Sequence, residues 1–290
     1  MHAPTDIHGE SGLDGTDLLP KPQSSADRSI SAVEAMAKAL RATEPGTAFL
    51  VATGALTNVA ALFSKYPELA EHIHGFSVMG GSIGGGFTAA VMGKVDSVER
   101  IGNYTPWAEF NIVIDPEAAA SLFENPVLAA KTTLIPLDLT HLVLATAEVQ
   151  HALLHGNDSE AGGRGKTDLR VMLVELLNFF ATTYRETFGI VEGPPLHDPL
   201  AVAVAFIGTE HEIPFYDFDP RATEGEKRQE RFQVTVVTEG EQTGRTIAKL
   251  LEPGVAGMRI PRGLDMEHFW RVIEECCQRA DKANSKVLGK

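Results

Sequence analysis

Three short runs, TAFLVATG at 47–54, GFSVMGG at 75–81 and TTLIPLDLT at 132–140, are apolar at most positions and are closed by glycine, proline or threonine. A strand with one wet face alternates polar and apolar residues, because successive side chains point to opposite sides of the sheet. Runs without that alternation are covered on both faces, as in a parallel sheet flanked by helices. The intervening segments have helical spacing. SISAVEAMAKAL sets Ile30, Val33, Ala37 and Leu40 on one face and pairs Ser31 with Glu34 as a capping box. LTNVAALFSKY is a helix stopped near Pro67, and IDPEAAASLF opens another at Asp115. The pattern predicts an α/β chain: a mostly parallel open sheet with helices on both faces, in one domain over residues 1–290.

The second half continues with a helix near 145–154, a polar glycine-rich loop before Asp168, and a helix over 168–188 expected to be the longest. RFQVTVVTEG then alternates with period two, and GLDMEHFWRVIEECCQRA is a closing amphipathic helix.

Composition excludes several classes. A net charge of −14 opposes broad binding to nucleic-acid phosphates or to anionic membranes. No segment has the apolar length of a membrane span, and MHAPTDIHGESG lacks the regions of a signal peptide. The only cysteines, Cys276 and Cys277, are adjacent, which fits neither a disulfide framework nor a zinc spacing. A reducing, cytoplasmic setting is expected.

PPLHDPLAVAVAF places His197 and Asp198 at the mouth of an apolar run. Locally, Asp-Pro reads as a helix start in which Asp198 caps a backbone N–H. Asp115-Pro116 is an internal control, with no histidine beside it. In an open α/β sheet, ligands collect at the carboxyl ends of the strands, which draws attention to Thr53-Gly54 and Gly80-Gly81. The following segment, GNYTPWAEFNIVIDPEA, gathers Asn103, Glu109 and Asn111, two amides and a carboxylate suited to neighbouring sugar hydroxyls. Taken alone it is also an ordinary solvated loop, with Asn103 in a turn after Gly102. GGSIGGG does not fit the dinucleotide fingerprint, and Ser11 lacks a nucleophile elbow. His72 and His74 read as exposed, and His141 in DLTHLVL reads as a structural residue.

Four stretches, in order, carry a resemblance: HGESGLDG at 8–15, VATGALTN at 51–58, GNYTPWAEFNIVIDPEA at 102–118 and HDPLAVA at 197–203. Together they resemble the inosine-uridine type of nucleoside hydrolase, most closely its fungal uridine-nucleosidase-like members, and the match covers essentially the whole chain. The resemblance implies cleavage of the N-glycosidic bond of ribonucleosides by a water activated on Ca2+. It implies Asp198 and the backbone carbonyl of Thr53 as metal ligands, and Asn103, Glu109 and Asn111 as ribose-holding residues. His197 would protonate the departing base or order the water that does so, and His8 would lie near the base. A place for Tyr184 in the base pocket and a homo-oligomer, dimer or tetramer, are further expectations of the likeness.

The family's aspartate-rich D-x-D-x-G-x-D-D segment is not found; Asp6, Asp14 and Asp17 have another spacing. The expectation is a chain lacking the family's first βα units and most of its metal carboxylates. The alternative to an active hydrolase is an inactive protein that binds nucleoside or ribose, or that serves in assembly.

Overall fold

The computed structural model describes residues 12–95, 98–156, 163–225 and 227–287. Its contacts group into two compact units: a larger one of residues 26–142 and 196–264, and a smaller one built, among the described residues, from 12–25, 143–195 and 265–287. The larger begins with α1 (Ala32–Arg41), β1 (Phe49–Ala52), α2 (Thr57–Lys65), α3 (Leu69–His72) and β2 (Gly75–Met79). It continues with β3 (Lys94–Val95), β4 (Val98–Glu99), α4 (Phe110–Ile114), α5 (Pro116–Phe123), α6 (Pro126–Lys131), β5 (Thr132–Ile135) and α7 (Leu137–Thr140). The smaller supplies α8 (Ala147–His155) and α9 (Asp168–Phe188). The larger resumes with α10 (Asp198–Ala203), β6 (Phe215–Tyr216), β7 (Phe232–Val236), β8 (Thr246–Leu250) and β9 (Gly263–Leu264), and the smaller closes with α11 (Met266–Val287).

The three apolar runs form one parallel sheet in the order β1-β2-β5, with Phe49 opposite Gly75 and Phe76 opposite Thr132. All five residues of central β2 are buried. Its neighbours on opposite faces explain why. Phe76 packs edge-on against Phe63 of α2, with centroids 6.3 Å apart, while the Ser77 hydroxyl donates to the Ala201 carbonyl of α10 at 2.7 Å. Adjacent residues of a strand face opposite sides, so helices cover both. The rest of the strand content is antiparallel: β3 with β4, β6 with β9, and β7 with β8. The alternation in RFQVTVVTEG becomes β7, buried at Phe232, Val234 and Val236.

Two local expectations shift. Ser31 caps α1 by accepting from Glu34 N at 3.2 Å, but the Glu34 carboxylate turns to Lys65 and Tyr66 rather than back to Ser31, so the box is half formed. The run TTLIPLDLT divides at Pro136, which has no N–H for a ladder; β5 stops before it and α7 follows.

In the smaller unit, Gly189 adopts a left-handed conformation at φ 69° and ends α9, a position that penalises a Cβ. At 22 residues α11 exceeds α9 by one, so among the described residues the longest helix is the last. Arg170 is wholly buried and reaches both oxygens of Glu274 at 2.8 and 3.0 Å and Asp281 at 2.7 Å, tying α9 to α11. Tyr184 is buried and stacks on Phe188, with centroids 5.2 Å apart.

Candidate functional site

The sequence-predicted residues of the larger unit gather around the carboxyl ends of its parallel strands. Thr53 follows β1 and is exposed. Gly80 and Gly81 follow β2, where Gly80 N donates to Ile135 O at 3.1 Å and Leu137 N donates to Gly81 O at 3.0 Å, so the ends of β2 and β5 are bound together.

Glu109 stands at this junction as the N-cap of α4. Its carboxylate accepts from Gly81 N at 2.9 Å, Asn111 N at 2.9 Å and Ile112 N at 3.1 Å. It is only 2% exposed. Burial pushes its carboxyl up to about 7 against the pull of those three amides, and the nearby charge of Asp198 adds to the rise. Asn111 donates from Nδ2 to Met79 O at 3.1 Å, and Asn103 accepts at Oδ1 from Phe110 N at 2.8 Å. The three residues are therefore held by bonds to the backbone of α4 and of the end of β2. Those bonds leave Asn103 Nδ2 and Asn111 Oδ1 for a ligand, a donor and an acceptor of the kind that vicinal hydroxyls require.

The two Asp-Pro helix starts behave differently. Asp115 caps α5, with Oδ1 accepting from Ala118 N at 3.1 Å, and also receives the Thr57 hydroxyl. At α10 the N-cap position falls on His197, no side chain caps the helix, and Asp198 is its first residue. The expectation that Asp198 caps is thus corrected. Pro199 fixes the first turn and has no N–H to satisfy. Water reaches Asp198, but the surrounding protein displaces enough of it to push the carboxyl up to about 6.

His197 is half-buried, and its Nδ1 lies 2.8 Å from the Thr140 hydroxyl. Its ring meets that of His141 edge-on, with centroids 5.9 Å apart. Burial, reinforced by His141, lowers His197 to about 3. His141 itself falls to about 4 through burial, although its contact with Val91 O opposes the shift. Both rings are neutral at pH 7.

Sequence reasoning missed Asp138 and Thr140. Asp138 accepts from Ile83 N at 2.7 Å and Gly84 N at 2.8 Å, holding the glycine-rich loop after β2. The available signal was three polar residues, Asp138, Thr140 and His141, in an otherwise apolar run at a strand end. His8 lies outside the described residues.

A hard cation suits this chemistry in kind, since Asp198 offers an unbonded carboxylate and Thr53 a strand-end carbonyl. In number the fit is incomplete. Among the described residues no three His, Cys, Asp or Glu side chains converge, so oxygens from water or from outside those residues must complete a coordination shell. Among the described residues, too, no helix is long and apolar enough to cross a membrane.

The family model described as inosine-uridine preferring nucleoside hydrolase matches residues 1–271. The chain is 34% identical over 290 residues to uridine nucleosidase of Saccharomyces cerevisiae, covering 98% of this chain and 76% of that protein. It is 40% identical over 200 residues to the pyrimidine-specific ribonucleoside hydrolase RihA of Citrobacter koseri, covering 68% of this chain and 53% of that one. Among solved structures, the purine-preferring ribonucleoside hydrolase from Gardnerella vaginalis superposes with a TM-score of 0.68 at 26% identity, over 94% of this chain and 74% of that one.

Proposed function

The chain belongs to the inosine-uridine preferring nucleoside hydrolase family, whose members use a metal ion, and on that premise we propose that it hydrolyses the N-glycosidic bond of ribonucleosides to ribose and free base. The observation that carries the reading is the free carboxylate of Asp198 beside the anchored Glu109, next to a histidine held neutral.

The roles follow from the chemistry of each group. Asn103, Glu109 and Asn111 hold the ribose hydroxyls. A carboxylate near the sugar also stabilises the positive charge that develops on the ring as the bond breaks, so it favours the transition state over the substrate. Asp198 and the Thr53 carbonyl are the ligands that these residues contribute to a metal, and calcium is the ion that such oxygens suit. When bound, that ion supplies a water that ionises more easily than bulk water. His197 faces the departing base. A ring that is neutral at rest can hydrogen-bond the base as negative charge grows there, or can order the water that gives the base its proton.

Product analysis tests this. Uridine and inosine incubated with the protein and calcium should yield ribose and free base, with 2′-deoxyuridine a poor substrate because it lacks a hydroxyl. Intact nucleoside at all calcium concentrations would contradict hydrolysis. A second reading, nucleoside binding without turnover, is favoured by the single carboxylate among the described ligands. It predicts uridine binding by calorimetry with no product. A homo-oligomer is part of the proposal, as is a cytoplasmic setting; sedimentation would report the first.

A further inference from the structure

The turn after β5 carries three polar side chains that the proposed chemistry does not use. All of Leu137, Asp138, Leu139, Thr140 and His141 are buried, none more than 4% exposed. Polar groups in such a place are costly unless each finds a partner. The partners here are specific. Asp138 takes the amides of Ile83 and Gly84, and its own carbonyl accepts the Thr88 hydroxyl at 2.5 Å. His141 Nδ1 is 2.8 Å from Val91 O. Thr140, wholly buried, sets its hydroxyl oxygen 2.8 Å from His197 Nδ1 and 3.4 Å from Leu137 O, with no contact to bulk water.

We propose that Thr140 is a positioning residue for His197: its hydroxyl engages Nδ1 and, with the His141 ring set edge-on, fixes the imidazole so that Nε2 is the nitrogen that works on the departing base. The role of His197 in this statement rests on the function proposed above, whereas the fixing of the ring does not. Two constraints act together. The hydrogen bond sets the direction of one ring nitrogen, and the edge-on contact sets the ring plane. His141 can do this because Val91 O holds it in turn. Asp138 extends the same support to the loop at 83–88, so one short turn links His197 to the glycine-rich segment after β2. A hydroxyl that only satisfied the core would have no effect on the state of the histidine.

Thr140→Val keeps the side-chain volume and removes the hydrogen bond; Thr140→Ser keeps the bond. The first measurement needs no turnover. Nitrogen-15 spectra of the metal-free protein, with His197 assigned by its loss in His197→Gln, should show one well-defined tautomer in wild type and in Thr140→Ser, and averaged Nδ1 and Nε2 shifts in Thr140→Val. The second is kinetic. With uridine, Thr140→Val should lower kcat about tenfold or more with little change in KM, within the ~10²-fold or larger contribution of a positioned acid–base group, and Thr140→Ser should recover most of it. Should Thr140→Val fail to fold, Thr140→Ala provides the same spectral test. Unchanged His197 shifts on loss of the hydroxyl would overturn the proposal. If wild type shows no turnover but the shifts average on loss of the hydroxyl, the hydrolytic reading fails and the positioning by Thr140 stands.

Discussion

Asp115 and Asp198 each stand before a proline at the start of a helix, yet only Asp115 binds the helix it opens, through Ala118 N at 3.1 Å. The same dipeptide therefore serves stability at one place and leaves a carboxylate free at the other. Asp115→Ala should cost about 0.5–2 kcal/mol of stability, as the loss of a cap does, while kcat per folded molecule is retained. Asp198→Asn should leave the melting temperature unchanged or higher, and should reduce turnover at least ~10²-fold if a metal-bound water is the nucleophile. Melting curves and initial rates on the two variants check both halves.

Glu109 gives the metal-free protein a distinctive pH dependence. Its folded carboxyl is raised to about 7 from an ordinary 4.5, so the folded state holds the proton more tightly than the unfolded one. Its contribution is fully present below the unfolded value and is lost as pH rises towards 7, on the order of 3 kcal/mol at most. His197 and His141 act in the opposite sense, because both are lowered by burial and resist protonation in the fold. Subtracting the Glu109→Gln stability profile from that of wild type isolates the carboxyl. The difference should fall between pH 5 and 7, and a flat difference would show that Glu109 is already ionised.

Calcium should reverse part of that loss. An ion held by Asp198 places positive charge near Glu109, lowering both carboxyls and releasing protons on binding. Saturating calcium should raise the melting temperature of wild type by linkage, by an amount that grows with concentration. The rise should vanish in Asp198→Asn and be reversed by a chelator.

Arg170 should be the most sensitive charged position of the smaller unit. It has no solvent contact and is matched by Glu274 and Asp281. Its replacement by Ala would leave two carboxylates without their cation, at a cost of about 3–5 kcal/mol. Denaturant unfolding of Arg170→Ala, compared with Glu274→Gln, measures this.

The sheet was legible because TAFLVATG, GFSVMGG and TTLIPLDLT carry their burial in residue type alone, and parallel strands covered on both faces must do so. Helix ends were readable where a residue acts locally, as at Asp115, and the helix expected over 168–188 has those bounds in the fold. What local pattern could not convey was the use of a side chain by distant backbone. Glu34 turns from Ser31 to Lys65 and Tyr66, and Thr140 engages His197, 57 residues away in sequence. Asp198 is the sharpest case: only the fold reveals that its helix start goes uncapped. Asn103, Glu109 and Asn111 were found through their close spacing and chemistry, but their bonds to Phe110, Gly81 and Met79 became visible only in three dimensions.

The most direct measurement is the initial rate of ribose release from uridine by wild type and Asp198→Asn across a calcium titration, after removal of endogenous metal. The account predicts saturable, calcium-dependent release by wild type and at least a ~10²-fold loss in the variant at every calcium concentration. Equal rates in the two proteins, or no release from wild type at saturating calcium, would contradict it.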